Sequence, residues 1–236
     1  MPCFGRQCLG AVSVLLLFAT VLRAADAGGA ASMPAGKVAV GLYGNCDGLA
    51  GLLADPRYNL VRLTSLDTAR LDSLRVLVVH DLSCNASEKA KLARGLVDFV
   101  QRGGGLFLTG AAVSALGSPF PDAVVGCREV AQSKAGGTVD DLMMKVTDGR
   151  WIIEEFTGET FQASTSAHHV FQAGPAGSTV VLDRFDWPVV VGATFGGGKV
   201  IFAGCDYARV GTSDKEAEVT RTLLAYLAGF AGGPRK

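Results

Sequence analysis

The chain has 236 residues, 49% of them hydrophobic and 19% charged, and 31 are glycine. Its 22 basic and 22 acidic side chains cancel to zero formal net charge. The length carries one sizeable core, the apolar share excludes a disordered chain, glycine without a period excludes collagen, and the lack of a basic surplus argues against a nucleic-acid partner.

Residues 1–27 read as a secretory signal peptide, with Arg6 before an uncharged apolar stretch from Leu9 to Leu22 and small residues at Ala25 and Ala27. That stretch is short for a bilayer span. Cleavage is expected after Ala27, leaving 20 basic and 21 acidic residues, net −1, and no stable membrane span. The expected compartment is extracellular or periplasmic. Four cysteines then remain: Cys46, Cys84, Cys127 and Cys205. In an oxidising compartment they allow three pairings, between which sequence does not choose, and buried thiols are an equal alternative. No C-x-x-C pair supports a zinc ribbon or a thioredoxin-type motif.

Residues 28–36 form a small-residue linker. Lys37–Tyr43 is an apolar run of the kind that suits a parallel strand buried on both faces. Tyr58–Leu63 is a second strand, and Leu74–Val79 is a third and the clearest. A helix is expected from Ser87, with its hydroxyl as cap and Glu88 favouring the helix dipole. Leu92, Leu96, Phe99 and Val100 repeat at helical spacing. Gly103–Gly105 stops the helix and Leu106–Thr109 is the fourth strand, completing a βαβ unit. Between Val124 and Val181, short β-prone pieces at Val124–Val130, Leu142–Val146, Trp151–Phe156 and Thr179–Leu182 predict appended antiparallel hairpins. Val189–Phe195 and Lys199–Ala203 flank Gly196–Gly198 as a hairpin. There the glycines serve a turn needing positive φ rather than a phosphate loop, because a strand and not a helix follows them. The last helix runs from about Ser213 to Leu227. Ser213 is its cap, Glu216 completes a capping box, and Leu223, Leu224 and Leu227 form its apolar face. Residues 230–236 are a tail.

The order of these elements, the run Leu74–Asp81 and the stretch Phe99-Val-Gln-Arg-Gly-Gly-Gly-Leu-Phe-Leu-Thr-Gly110 resemble the class I glutamine amidotransferase-like superfamily. Within it, the trehalose-utilisation-like and beta-galactosidase-associated domains are nearest, since a helix ending V-x-x-G-G-G-L feeds their central strand. His168-His-Val-Phe-Gln-Ala-Gly-Pro175 is similar to their H-P-x-x-x-G-L-P turn, with Val170 and Ala173 departing from it. The resemblance covers roughly residues 37–229. It implies an α/β fold of three layers, with a mostly parallel, flavodoxin-like sheet and appended antiparallel hairpins. It also implies a cysteine on the elbow after the fourth strand and a His and Glu after the late strand. Here Ala111 and Ala112 occupy the expected elbow, Phe202–Tyr207 contains no His, and Thr109 stands where the trehalose-utilisation-like domains often have His. Acyl transfer from glutamine needs a nucleophile, a base and an oxyanion hole, so amidotransferase chemistry is not expected. Ser114 reads as a solvent-facing serine near a helix start.

Candidate ligand-binding residues follow from strand ends, because open α/β sheets bind ligands at the carboxyl edge. His80 and Asp81 end the third strand, and Asn45 and Asp47 follow the first. Asp206 joins them if the last strong strand runs parallel. A small-molecule or carbohydrate ligand is expected there, with no cofactor and no assigned metal. The expected role is ligand binding or scaffolding; the alternatives are a hydrolase built on His80 and Asp81 and a structural module that associates through its hairpins. Adjacent His168 and His169 cannot both face one ligand in extended backbone, so one should pack and the other be solvated. Trp151 and Trp187, near Phe185, are candidates for stacking on a sugar ring. Asn85-Ala-Ser87 fits an N-glycosylation acceptor.

Overall fold

The structure is a computed structural model and describes residues 36–80, 82–122, 124–127, 143–147, 152–164, 169–204 and 213–230. Asp81, Trp151, His168, Cys205 and Asp206 lie outside the described residues, as do the expected signal peptide and nearly all of the linker.

Five strands form a parallel block: β1 (Val38–Tyr43), β2 (Tyr58–Leu63), β3 (Val76–Val79), β4 (Gly105–Thr109) and β11 (Gly198–Ala203). Antiparallel strands extend the sheet: β10 (Pro188–Phe195), β9 (Gly177–Asp183), β6 (Met143–Val146) and β7 (Thr160–Gln162). The order across the sheet is β2-β1-β3-β4-β11-β10-β9-β6-β7. A two-stranded ribbon pairs β5 (Val125–Cys127) with β8 (Phe171–Ala173). The fold is therefore mixed α/β, with a parallel centre and antiparallel additions, as the sequence pattern predicts.

Continuous apolar runs become central strands because helices cover both faces. In β4, Phe107 packs on one face while Leu106 and Leu108 pack on the other. The same alternation puts Ile201 and Ala203 of β11 against Phe107's layer, and Val200 and Phe202 opposite. Helices α1 (Asp47–Leu52) and α5 (Asp214–Ala228) supply the first layer through Leu49, Val219, Leu223, Leu224 and Leu227. Helices α2 (Thr68–Leu71), α3 (Ala86–Gln101) and α4 (Ala111–Leu116) supply the second through Leu71, Leu96, Phe99, Val100 and Val113.

Three expectations are corrected. The cap of α3 is Asn85, not Ser87. Its Oδ1 accepts from the N–H groups of Ser87 and Glu88, and Glu88 accepts from the Asn85 N–H in return, a full capping box. Trp151–Phe156 does not form a strand: residues 152–158 are turns around a short 3₁₀ segment, Glu154–Phe156, whose Ile153 and Phe156 plug the core. Short helices α1 and α2 stand where the sequence pattern predicts none. At six and four residues, they lie below the length at which periodicity is legible.

The expected cap of α5 is present, with the Ser213 hydroxyl accepting from the Glu216 N–H at 3.3 Å. The Glu216 carboxylate is buried and reaches across to Ser164, accepting from both its N–H and its hydroxyl. It thereby ties α5 to the chain leaving β7. Cys46 is buried with its thiol toward the Tyr43 carbonyl, and Cys84 is half-buried; neither takes part in a disulfide. No helix among the described residues is long and apolar enough to cross a membrane.

Candidate functional site

The carboxyl ends of β3, β4 and β11 lie side by side, since these strands are parallel neighbours. This places His80, Gly110 and Gly204 on one edge. The strand expected to carry Asp206 does run parallel, as β11 pairs Ala203 with Thr109 of β4.

His80 is buried at 6% exposure. Its main chain is held on two sides: its N–H donates to Tyr43 O at 3.1 Å, and its carbonyl accepts from Ala112 N at 2.6 Å. The tip of β3 is thus stitched to the tip of β1 and to the start of α4. The turn from β4 into α4 pivots on Gly110, with φ 58° and ψ −131°. That sharp strand-to-helix reversal is the elbow geometry that displays a nucleophile in α/β-hydrolases. The elbow residue is therefore Gly110, one position before the expected Ala111, because the strained backbone falls where glycine relieves it. A Cβ at 110 would sit 2.9 Å from His80 Nε2 and 3.0 Å from its Cδ2. The imidazole occupies the space a nucleophilic side chain would need.

A second imidazole flanks the same turn. The chain at His169 crosses so close to Gly204 that a Cβ there would collide with the His169 main chain, and His169 N–H donates to Gly204 O at 3.1 Å. From this anchor the His169 ring meets the Ser114 hydroxyl, with Nε2 and Oγ 2.9 Å apart. Ser114 is exposed, as expected for a helix-surface serine, and His169 is half-buried. The sequence contains both residues, but 55 positions separate them, and no motif announces their meeting.

The remaining candidates are less convergent. Asn45 and Asp47 follow β1 on the same edge and are exposed, but Asp47 is held by Arg62 at 2.5 Å in an ion pair on the β2 side. The turn between β9 and β10 also leaves from this edge, because Val190 of β10 sits opposite Ala203 at the end of β11. It presents Phe185 and Trp187, which are 53% and 45% exposed. The Asp183 carboxylate fixes the turn by accepting from the N–H groups of both aromatic residues at 2.9 Å. Among the described residues, no group of three or more His, Cys, Asp or Glu is arranged to hold a metal. A cavity of about 360 Å³ lies at the opposite, amino edge, where Arg102 pairs with Asp72 and Arg75 donates to Gly103 O.

The architecture matches several solved structures. Cytoplasmic protein STM3548 of Salmonella typhimurium aligns with TM-score 0.57 at 11% identity, over 82% of this chain and 98% of that one. A Thermoplasma acidophilum protein named for the GMP synthases aligns with TM-score 0.54 at 11% identity, over 82% and 96%. The chain shares its α/β fold with these proteins. Beta-galactosidase from Bacillus circulans contains a similar region, with TM-score 0.54 and 11% identity; 81% of this chain corresponds to 31% of that enzyme. No family model and no curated protein sequence matches the chain.

Proposed function

We propose that this chain is a secreted amidotransferase-like domain that binds a small hydroxyl-rich ligand, of carbohydrate class, at the carboxyl edge of its sheet, and that it does not hydrolyse glutamine. One observation carries the reading: Gly110 at the elbow, with His80 filling the volume a nucleophile would take. A site that has lost its cysteine chemistry but keeps a built edge is suited to binding. Carbohydrate is supported by the resemblance to trehalose-utilisation-like domains, by the similar region within a beta-galactosidase, and by Phe185 and Trp187 exposed on this edge. Aromatic rings stack on the apolar faces of sugars, while edge polar groups such as Asn45 take their hydroxyls. Asp81 and Asp206, by their places after β3 and β11, complete the proposed rim.

A glycan array followed by calorimetry tests binding. Asp81→Asn, Asp206→Asn and Asn45→Ala should each weaken a captured sugar, by roughly 1.5–3 kcal/mol where a charged hydrogen bond is lost. Capture unaffected by all three changes would place the ligand elsewhere. Ammonia release from glutamine should stay at background. Secretion is tested by mass spectrometry of the protein from its own host, where the mature chain should begin at Gly28.

A further inference from the structure

We infer that Ser114 and His169 form a nucleophile–base pair able to hydrolyse carboxylic esters at the carboxyl edge. The bond between Ser114 Oγ and His169 Nε2 is 2.9 Å, inside the range in which an imidazole takes a proton from an attacking hydroxyl. It joins side chains 55 residues apart, so a tertiary contact and not a local turn makes it.

Each partner is set by a rigid element. His169 is pinned through its N–H to Gly204 O, and the next two residues, Val170 and Phe171, are buried at 5% and 4% exposure. Ser114 sits in α4, whose neighbours Val113 and Leu116 are buried, so the helix cannot roll away from the imidazole. Ser114 lies four positions after Gly110, hence on the same side of the helix as the elbow. The hydroxyl is exposed and open to a substrate; the half-buried imidazole is the more sheltered partner. Gly204 is required by this arrangement, because any side chain there would displace the main chain of His169.

The chemistry balances with water as the co-reactant. With its ring proton on Nδ1, His169 accepts the Ser114 proton at Nε2 while Oγ bonds to the ester carbonyl carbon. The carbon–oxygen bond to the alcohol breaks, and the alcohol leaves with the proton from Nε2. Water then gives a proton to Nε2 and attacks the acyl-serine; the acid departs and Oγ recovers its proton. Esters fit this open pair better than amides, because an alkoxide is a better leaving group than an amide anion.

The test uses the purified full-length protein with a fluorophosphonate probe and with p-nitrophenyl acetate. Mass spectrometry should find the phosphonyl adduct on Ser114. Ser114→Ala should abolish that adduct and reduce ester turnover at least about 100-fold, and His169→Ala should do the same with partial recovery on added imidazole. The rate should rise with pH as His169 loses its proton, a dependence missing in His169→Ala. Ser114→Cys gives a second reading that survives a loss of ester turnover: iodoacetamide should alkylate this thiol faster than in the Ser114→Cys, His169→Gln double variant. Labelling of another residue, full turnover in Ser114→Ala, or equal alkylation in the two cysteine variants would overturn the assignment. None of these readouts depends on sugar capture, so the binding proposal can fail without it.

Discussion

His80 and Gly110 share one volume: the imidazole Nε2 lies 2.9 Å from where a Cβ at position 110 would be. The two residues immediately follow adjacent parallel strands, and the backbone of the elbow is kept open by glycine at φ 58°. A side chain at 110 therefore meets two penalties, a strained conformation and an occupied space.

Those penalties are separable. Gly110→Ala should cost about 2 kcal/mol or more in the native background, from a strained φ/ψ and the contact with His80. In a His80→Ala background the contact is gone, and the cost should fall by at least about 1 kcal/mol. Urea unfolding of the four proteins in a double-mutant cycle measures this. Strict additivity would mean that the ring and the elbow do not compete. Gly110→Cys should likewise give no glutaminase activity.

Two glycine turns interlock at the amino edge, and the energetic consequence differs sharply from that of an ordinary glycine. A Cβ on Gly198 would run into the carbonyl oxygens of Val100 and Gly104, which end α3 and precede β4. Gly198→Ala should therefore destabilise by about 3 kcal/mol, because backbone rather than a flexible side chain must move. Gly95, inside α3, has nothing within 4 Å of its would-be Cβ. Gly95→Ala should instead stabilise by about 0.5–1 kcal/mol. Thermal unfolding of the two variants should move in opposite directions.

Glu216 is a carboxylate at 1% exposure that accepts from Ser164 N–H at 3.0 Å and from the Ser164 hydroxyl. Removing it leaves the half-buried Ser164 donors without this acceptor. Glu216→Leu should cost about 2 kcal/mol or more, while Ser164→Ala, which keeps the main-chain bond, should cost about 1 kcal/mol. Denaturant midpoints distinguish the two; equal losses would mean that the main-chain donor contributes nothing.

Lys199, the second residue of β11, lies at the amino edge, donates to Tyr226 O at 2.8 Å and is 4.0 Å from the Tyr226 ring centroid. Burial, with Arg75 nearby, holds its ammonium below the ordinary lysine value of 10.5. In the window between the folded value and 10.5, the unfolded chain binds more protons at this position than the folded chain. Lys199's contribution to stability therefore rises with pH across that window. Lys199→Met removes this slope. Urea unfolding from about pH 8 to about pH 10 should show native stability gaining on the variant as pH increases; a constant difference would contradict it. Burial pushes the Tyr226 hydroxyl up from its ordinary 10.0, which opposes the gain only above about pH 10.

The sequence by itself determined the sheet's centre and the absence of a cysteine from the turn after Thr109. Runs such as Val76–Val79 and Leu106–Leu108 are apolar at every position, and that pattern has one stable use, a strand covered on both faces. The turn at Gly196–Gly198 was legible for a related reason, since few residues besides glycine adopt the φ of 58° found at Gly196. The sequence could not reveal that these glycines also admit the main chain of Gln101 and Gly104, because close approach depends on where a distant helix ends. It placed the elbow one residue late, since a backbone reversal of this kind is set by the docking of α4 against His80 O rather than by local preference. It misread Trp151–Phe156 as a strand because a short apolar run serves a buried turn equally well. Only the tertiary structure decided that His169, and not a residue of the late strand, brings an imidazole to Ser114. Hydrophobic periodicity reports which face of an element is buried; it carries no information about which two polar side chains, 55 residues apart, the packing of those faces will bring within 2.9 Å.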